Sequence, residues 1–290
     1  MKTVFKTGGL AAGTGAPAEP TTPANLEALE PLASLSNLID PDPAMIAGAA
    51  VADYRIRDRA ASGRLYLKPT TSQTKIPIYS AAGLGTGPCL QFGFGGDLAQ
   101  DNNNCGAVIT PVGRTIIPDT AFSLFLPFGI EPSGNGEIMG GANRGQATPY
   151  WRCSINGNGF LVWQNDGNAG NTVVYNAADL RDSQARLLEI HHVPGATANT
   201  GTTTGILDGT QFAQASDTPD FVGANKRRLV LGSGAKTTGQ ASSPIRGKIG
   251  RAMIFAGRAL NSGAVVDTTA LAVVRQHYKD TYGIAVAGTT

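Results

Sequence analysis

The chain has 290 residues, with 23 Lys and Arg against 21 Asp and Glu, a net charge of +2 and only 15% charged residues. That balance removes the electrostatic case for nucleic acid or an acidic membrane surface, and no apolar run reaches the ~20 residues of a membrane span. With 38 glycines, turns are plentiful, and the length suits one large β domain plus an appendage or two modest domains.

Residues 1 to about 24 are mostly Gly, Ala, Pro and Thr, as in Gly13-Thr14-Gly15-Ala16-Pro17 and Glu19-Pro20-Thr21-Thr22-Pro23. They hold too little apolar bulk to form a core and are expected to order only on another surface. Lys2 and Lys6 open like a signal peptide, but Gly8-Gly9-Leu10-Ala11-Ala12-Gly13 is too small and broken for its apolar region. An unprocessed protein made in the cytoplasm is the expectation. Thr22 can cap a helix with Pro23 in its first turn, running through Leu26 and Leu29 to Pro31. Asp42-Pro43 repeats that signal and predicts a second helix from Ala44 to about Ala61, with Ile46, Ala50 and Tyr54 on its apolar side. Arg55, Arg57 and Arg59 then suit its C-terminus. Leu32 to Ile39 is apolar enough to pack, in either state. Residues 1–62 thus read as a docking arm with short helices, and 63–290 as the domain it carries.

From Arg64 the texture changes to short strands. Leu65-Tyr66-Leu67, Lys75 to Tyr79 and Cys89 to Phe94 are candidates, and Gln100 to Asn104 is a polar loop. Thr120 to Phe128 alternates most clearly, placing Phe122, Leu124, Leu126 and Phe128 on one core-facing side. Trp151 to Ile155 and Phe160 to Gln164 flank Asn156-Gly157-Asn158-Gly159, a hairpin signal. Asn165-Asp166-Gly167-Asn168 turns into Thr172 to Tyr175. Short apolar runs follow at Leu187 to Val193, Gly205 to Leu207, Arg228 to Leu231 and Gly247 to Phe255. In the last of these, Ile249, Met253 and Phe255 are expected on one side, with Arg251 among them, and Gly250, Ala252, Ile254 and Ala256 on the other. A helix from about Asp267 to Tyr282 closes the chain, with Leu271, Val274, Tyr278 and Tyr282 as its buried stripe and Gly283 as its stop. The fold class is mainly β, an antiparallel sandwich with a C-terminal helix.

The order of the last pieces resembles the concanavalin A-like jelly roll in its laminin-G-like form. The residues that carry the resemblance are His191-His192-Val193, the tight turn at Leu207-Asp208-Gly209, Leu231-Gly232-Ser233 and the run from Gly247 to Ile254. The link Arg258-Ala259-Leu260-Asn261-Ser262 and the helix after it fit the same pattern. Glycoside hydrolases of this fold use carboxylates alternating on one strand, and no such strand occurs here: Glu189 stands alone, and Glu131 and Glu137 flank a Gly-rich turn. His191 and His192 point to opposite faces, so one buried and one exposed histidine is expected rather than a ligand pair. Asn165, Asp166, Asn168 and Asp208 could bind Ca²⁺ or sugar hydroxyls with Trp151 or Trp163 stacking on a ring, or be turn formers beside core tryptophans. Cys89, Cys105 and Cys153 lack zinc spacing; a Cys89–Cys105 bridge or buried free thiols are both open, with free thiols favoured. No catalytic residue and no cofactor is assigned.

A non-catalytic jelly roll on an N-terminal arm looks like bacteriophage virion proteins. That resemblance implies a virion protein assembled in the host cytoplasm, first of all a capsid decoration or head-surface protein. Its arm would bury Leu26, Leu29, Leu32 and Leu35 on the major capsid protein or a neighbouring structural subunit, and removing residues 1–40 should leave a folded domain. The alternative is a carbohydrate- or receptor-binding module of a tail or tail fibre with a cell-surface glycan as partner. A polysaccharide-cleaving enzyme comes third.

Overall fold

Residues Phe122–Ile130 form the central strand, and all of them are buried. One-sided alternation would leave every second residue wet; here layers on both faces remove that option. In the computed structural model, residues 34–60, 66–71, 73–93, 105–142, 151–164, 172–197, 201–218, 227–235, 241 and 243–287 are described. The elements of the first part are β1 (Leu35–Ile39), a 3-10 turn (Pro43–Met45), β2 (Ile46–Ala47), β3 (Arg55–Arg57), β4 (Tyr66–Pro69), β5 (Ile78–Leu84), β6 (Gly87–Phe92), β7 (Val108–Ile109) and β8 (Phe122–Ile130). Then come β9 (Gly136–Gly141), β10 (Arg152–Ile155), β11 (Leu161–Gln164), β12 (Thr172–Tyr175), β13 (Arg186–Val193), β14 (Gly201–Leu207) and β15 (Thr210–Thr218). The chain finishes with β16 (Leu229–Leu231), β17 (Gly247–Ile249), β18 (Ala252–Ala256) and the helix α1 (Val265–Tyr282).

These strands make two nine-stranded antiparallel sheets, a jelly-roll sandwich. The first runs β15-β14-β13-β8-β17-β6-β5, with β18 pairing the other half of β8 and carrying β1 on its far side. The second runs β12-β11-β10-β9-β16-β7-β4-β3-β2. Between them lies the main core, where Phe122, Leu124, Leu126 and Phe128 meet Ile138, Trp151, Trp163 and Leu231. On the outer face of the first sheet lies α1, whose Val274, Tyr278 and Tyr282 pack with Leu84, Phe125, Leu187, Met253 and Phe255. The helix stops at Gly283, which is left-handed (φ 69°) and returns its N–H to the Lys279 carbonyl.

Turns follow residue chemistry. Asp208 (φ 50°) and Gly209 (φ 82°) make the two-residue turn between β14 and β15, a geometry matched to strand twist. In the β10–β11 hairpin, Asn156 Oδ1 accepts the Asn158 and Phe160 N–H groups, and Gly159 takes φ 79°.

Four expectations are corrected. The helix over Ala44–Ala61 does not form. Asp42 Oδ1 accepts the Ala44 N–H as a cap should, but the turn ends at Met45 and residues 46–57 become the β2–β3 hairpin. Gly48 (φ 79°), where a Cβ would lie 2.3 Å from the Asp53 carbonyl oxygen, makes the reversal, and Ile46 and Ile56 turn inward to join Leu67. Pairing to a sheet overrides helix propensity. The stretch assigned to the arm also supplies strands: β1 joins the first sheet and β2–β3 the second. Leu35 lies opposite Phe255 and packs in the layer beneath α1, so an internal contact uses it. Leu26, Leu29 and Leu32 lie outside the described residues. Third, His191 and His192 are both buried, because both faces of β13 are covered. Fourth, Gly250 and Arg251 interrupt the alternation of the last strand: Ile249 and Ile254 face the main core, while Met253 and Phe255 face the helix. Gly250 is needed there, since a Cβ would lie 2.7 Å from the Tyr282 ring.

Candidate ligand-binding face

Under α1 lie two buried polar networks. Glu189 does not stand alone: Arg275 donates to both of its oxygens at 2.8 and 2.9 Å, and His191 Nε2 lies 3.3 Å from Oε2. His191 Nδ1 is 2.8 Å from Ser123 Oγ, its partner across β8–β13. Burial alone would raise the Glu189 carboxyl, but the hydrogen bonds from His191 and Arg275 and the Arg275 charge prevail and hold it below its ordinary range. The order Ser–His–Glu is that of an acyl-transfer relay. Ser123, however, has zero exposure, and its Oγ already accepts the Leu260 N–H at 2.8 Å, so no reacting carbon has room beside it. The second network centres on Arg251. It donates to Asp40 Oδ2 at 3.3 Å, lies 3.0 Å from His277 Nε2, and presents its backbone N–H to the Tyr282 hydroxyl at 2.7 Å. Its Nε is 3.1 Å from Asp40 Oδ1, an ion-pair distance at an angle too bent for a hydrogen bond. Asp40 also takes Arg59 at 3.0 Å. Both networks fasten the helix and β1 to the sheet.

Of the sequence-proposed ligand-loop residues, only Asp208 lies among the described residues. Asn165, Asp166 and Asn168 lie outside the described residues. Asp208 sits beside Leu187, next to the close of β8. The Asp208 carboxylate accepts the Leu187 N–H at 2.7 Å and Arg186 at 3.3 Å. Burial raises its pKa against these partners, and its role is to fix the turn. Among the described residues, no group of three or more His, Cys, Asp or Glu side chains could hold a metal ion. Cys89, Cys105 and Cys153 are buried and form no disulfide with one another, with burial pushing the Cys89 thiol up to about 11. Trp151 and Trp163 pack together in the core, their ring centroids 5.9 Å apart.

α1 packs on the middle of the first sheet's outer face, leaving Ile78 of β5 50% exposed; the outer face of the second sheet carries no helix among the described residues. Its residues follow from the register. Inward go Ile56, Leu67, Val108, Leu231, Met139, Cys153 and Trp163. Their strand neighbours therefore face outward, in one row across the sheet. The row begins Ala47, Arg55, Lys68, Ile109, each opposite the next. It continues Val230, Gly140, Arg152, Gln164. Ile109 and Val230 are covered by Ala142 and Ala235, which divides the face into two polar areas. In one, Arg152 donates to Gln164 at 2.7 Å and to Glu137 at 3.1 Å. In the other, Arg55, Arg57 and Lys68 surround Tyr66. Sequence reasoning missed this face, because the row is assembled from strands far apart in the chain.

No protein-family model matches the chain, and no curated protein sequence matches it. Solved structures do. The binding domain of botulinum neurotoxin DC, in complex with rat synaptotagmin II, has a TM-score of 0.50 at 12% identity, covering 83% of this chain and 52% of that one. The structure titled HCR/D-Sa-GBL1/C gives 0.50 at 12% identity, covering 83% and 52%. The Ruminococcus gnavus IT-sialidase CBM40 bound to alpha2,3 sialyllactose gives 0.38 at 14%, covering 52% of this chain and 82% of that one, a score too low to carry an argument. The chain spans about half the length of the first two chains, and at these identities the likeness is one of fold: it is an antiparallel β-sandwich of the jelly-roll type, like the botulinum neurotoxin binding domain.

Proposed function

We propose that the protein is a non-catalytic recognition module that binds a carbohydrate or a receptor through the outer face of its second sheet. The observation that carries this reading is the disposition of that face. Arg55 and Lys68 stand at one end of a register-fixed row and Arg152 toward the other, separated by the covered Ile109 and Val230, while α1 packs on the other sheet's outer face. The described acid–base groups support the same view, since Glu189, His191 and Ser123 are consumed by structural partners at zero or 1% exposure. The fold is shared with a structure titled as a binding domain. In this reading the first 33 residues tether the module to its carrier. The sequence resemblance suggests a bacteriophage virion as the carrier; of the arm residues Leu26, Leu29, Leu32 and Leu35 on which a capsid-surface role counted, Leu35 packs inside the sandwich, and a tail or tail fibre suits a recognition module better. A glycan array probed with the full chain tests the proposal. Binding to a defined set of glycans is expected, and a blank array together with hydrolysis of a polysaccharide would overturn it.

A further inference from the structure

The corner of the second sheet formed by β3 and β4 gathers three cations around one aromatic ring. Arg57 lies opposite Tyr66 and Ile56 opposite Leu67, the latter two pointing into the core with zero exposure; continuing that register by one residue puts Arg55 across from Lys68. The four outward side chains therefore share a patch about 5 Å across the strands and about 7 Å along them. Several other arginines are matched to acids: Arg59 with Asp40 and Asp42, Arg152 with Glu137, Arg186 with Asp182 and Asp208, Arg275 with Glu189. Among the described residues, no carboxylate forms an ion pair with Arg55, Arg57 or Lys68. The nearest acid along the chain, Asp58, is buried and turned to Asn37 and the Leu38 N–H. Like charges placed opposite one another on a sheet are destabilising, so this corner is held at a cost that a bound anion would relieve. Arg55 is fixed by the Ala52 and Tyr54 carbonyls, with its guanidinium carbon 5.3 Å from the Tyr66 ring centroid. Arg57 is exposed and free to turn toward a ligand.

We infer that this corner binds the carboxylate or sulfate of an acidic sugar, an assignment that rests on the recognition reading above and names its ligand class. Guanidinium groups match planar oxyanions bidentately, Lys68 adds a point charge, and Tyr66 offers the apolar contact a sugar ring seeks. The cations are confined to one corner of a chain with net charge +2. That suits a single anionic saccharide unit better than the long phosphate track of a nucleic acid.

The test uses the full chain against heparin-derived oligosaccharides, polygalacturonate oligosaccharides, neutral dextran, duplex DNA and phosphatidylserine vesicles, with affinities measured by surface plasmon resonance at low and high salt. The acidic oligosaccharides are expected to bind, more weakly at high salt, with the sulfated and carboxylated sets telling the two anions apart. Arg57→Glu and Lys68→Glu should each lower that affinity at least about tenfold without lowering the melting temperature, since neither side chain forms an ion pair among the described residues and each change relieves like-charge repulsion. Variants that bind acidic sugars like the parent would overturn the assignment, as would tighter binding of DNA or vesicles than of every acidic oligosaccharide. Binding of neutral glycans that neither variant disturbs would refute this corner and leave carbohydrate recognition standing; no glycan binding at all would refute both.

Discussion

Glu189 shows how a single side chain can be both expensive and indispensable. It has zero exposure, and its charge is tolerated because Arg275 takes both oxygens. Removing one partner of a buried pair strands the other, at a cost of about 3–5 kcal/mol. Arg275→Ala should therefore lower stability by that order, measured by denaturant unfolding. Because the folded carboxyl is held below its ordinary value of 4.5, its contribution is complete above that pH and is lost as pH falls through the lowered value. The wild-type unfolding midpoint should fall as pH drops below about 4.5, and Glu189→Gln should flatten part of that limb. Gly232 is a second residue-scale control. At φ 81° it sits where a Cβ would come 2.1 Å from the Phe92 ring. Gly232→Ala is expected to cost about 1–3 kcal/mol in the same assay, through both backbone strain and displacement of Phe92.

At the scale of elements, β1 is the piece whose place most changes the picture. It adds to the edge of β18, and the residue after it, Asp40, neutralises the buried Arg251. A chain lacking residues 1–40 would therefore lose a strand and leave Arg251 partly unpaired under α1, so a melting temperature far below the parent's is expected. A chain starting at residue 34 keeps both and should melt close to the parent. The same logic applies to Tyr282, whose hydroxyl accepts the Arg251 N–H in the gap left by Gly250. Tyr282→Phe would leave that buried donor unsatisfied and should destabilise by about 1–3 kcal/mol, read by calorimetry.

Across the whole molecule, the ends of the chain are woven together. Ser36 donates to the Ile254 carbonyl, 218 residues away, and β1 and β2–β3 enter different sheets, bridged by Asp58, whose carboxylate accepts the Leu38 N–H. Neither sheet is complete without the first and last thirds of the chain. Non-local pairing of this kind folds slowly, so refolding in milliseconds or slower is expected. Far-ultraviolet dichroism and the emission of Trp151 and Trp163, both in the shared core, should be lost together on unfolding.

The amino-acid sequence by itself determined the local pieces whose signal is contained in neighbouring residues. The alternation of β8, the Asn-Gly hairpin of β10–β11, the Asp208-Gly209 turn and the stripe and Gly283 stop of α1 each depend on contacts within a few positions, and they formed where periodicity and turn chemistry place them. Tertiary structure decided the rest. Residues 46–57 carry helix-compatible side chains, and only the edge offered by β4 makes them a hairpin. The burial of His191 required the helix that begins at Val265 to cover one face of the sheet, and that of His192 required the layer on the other face, where it meets Phe122. The row joining Arg55, Lys68, Arg152 and Gln164 exists only in the register of the second sheet, because strand order is set by which apolar faces close a common core, and no local pattern encodes which strand becomes whose neighbour.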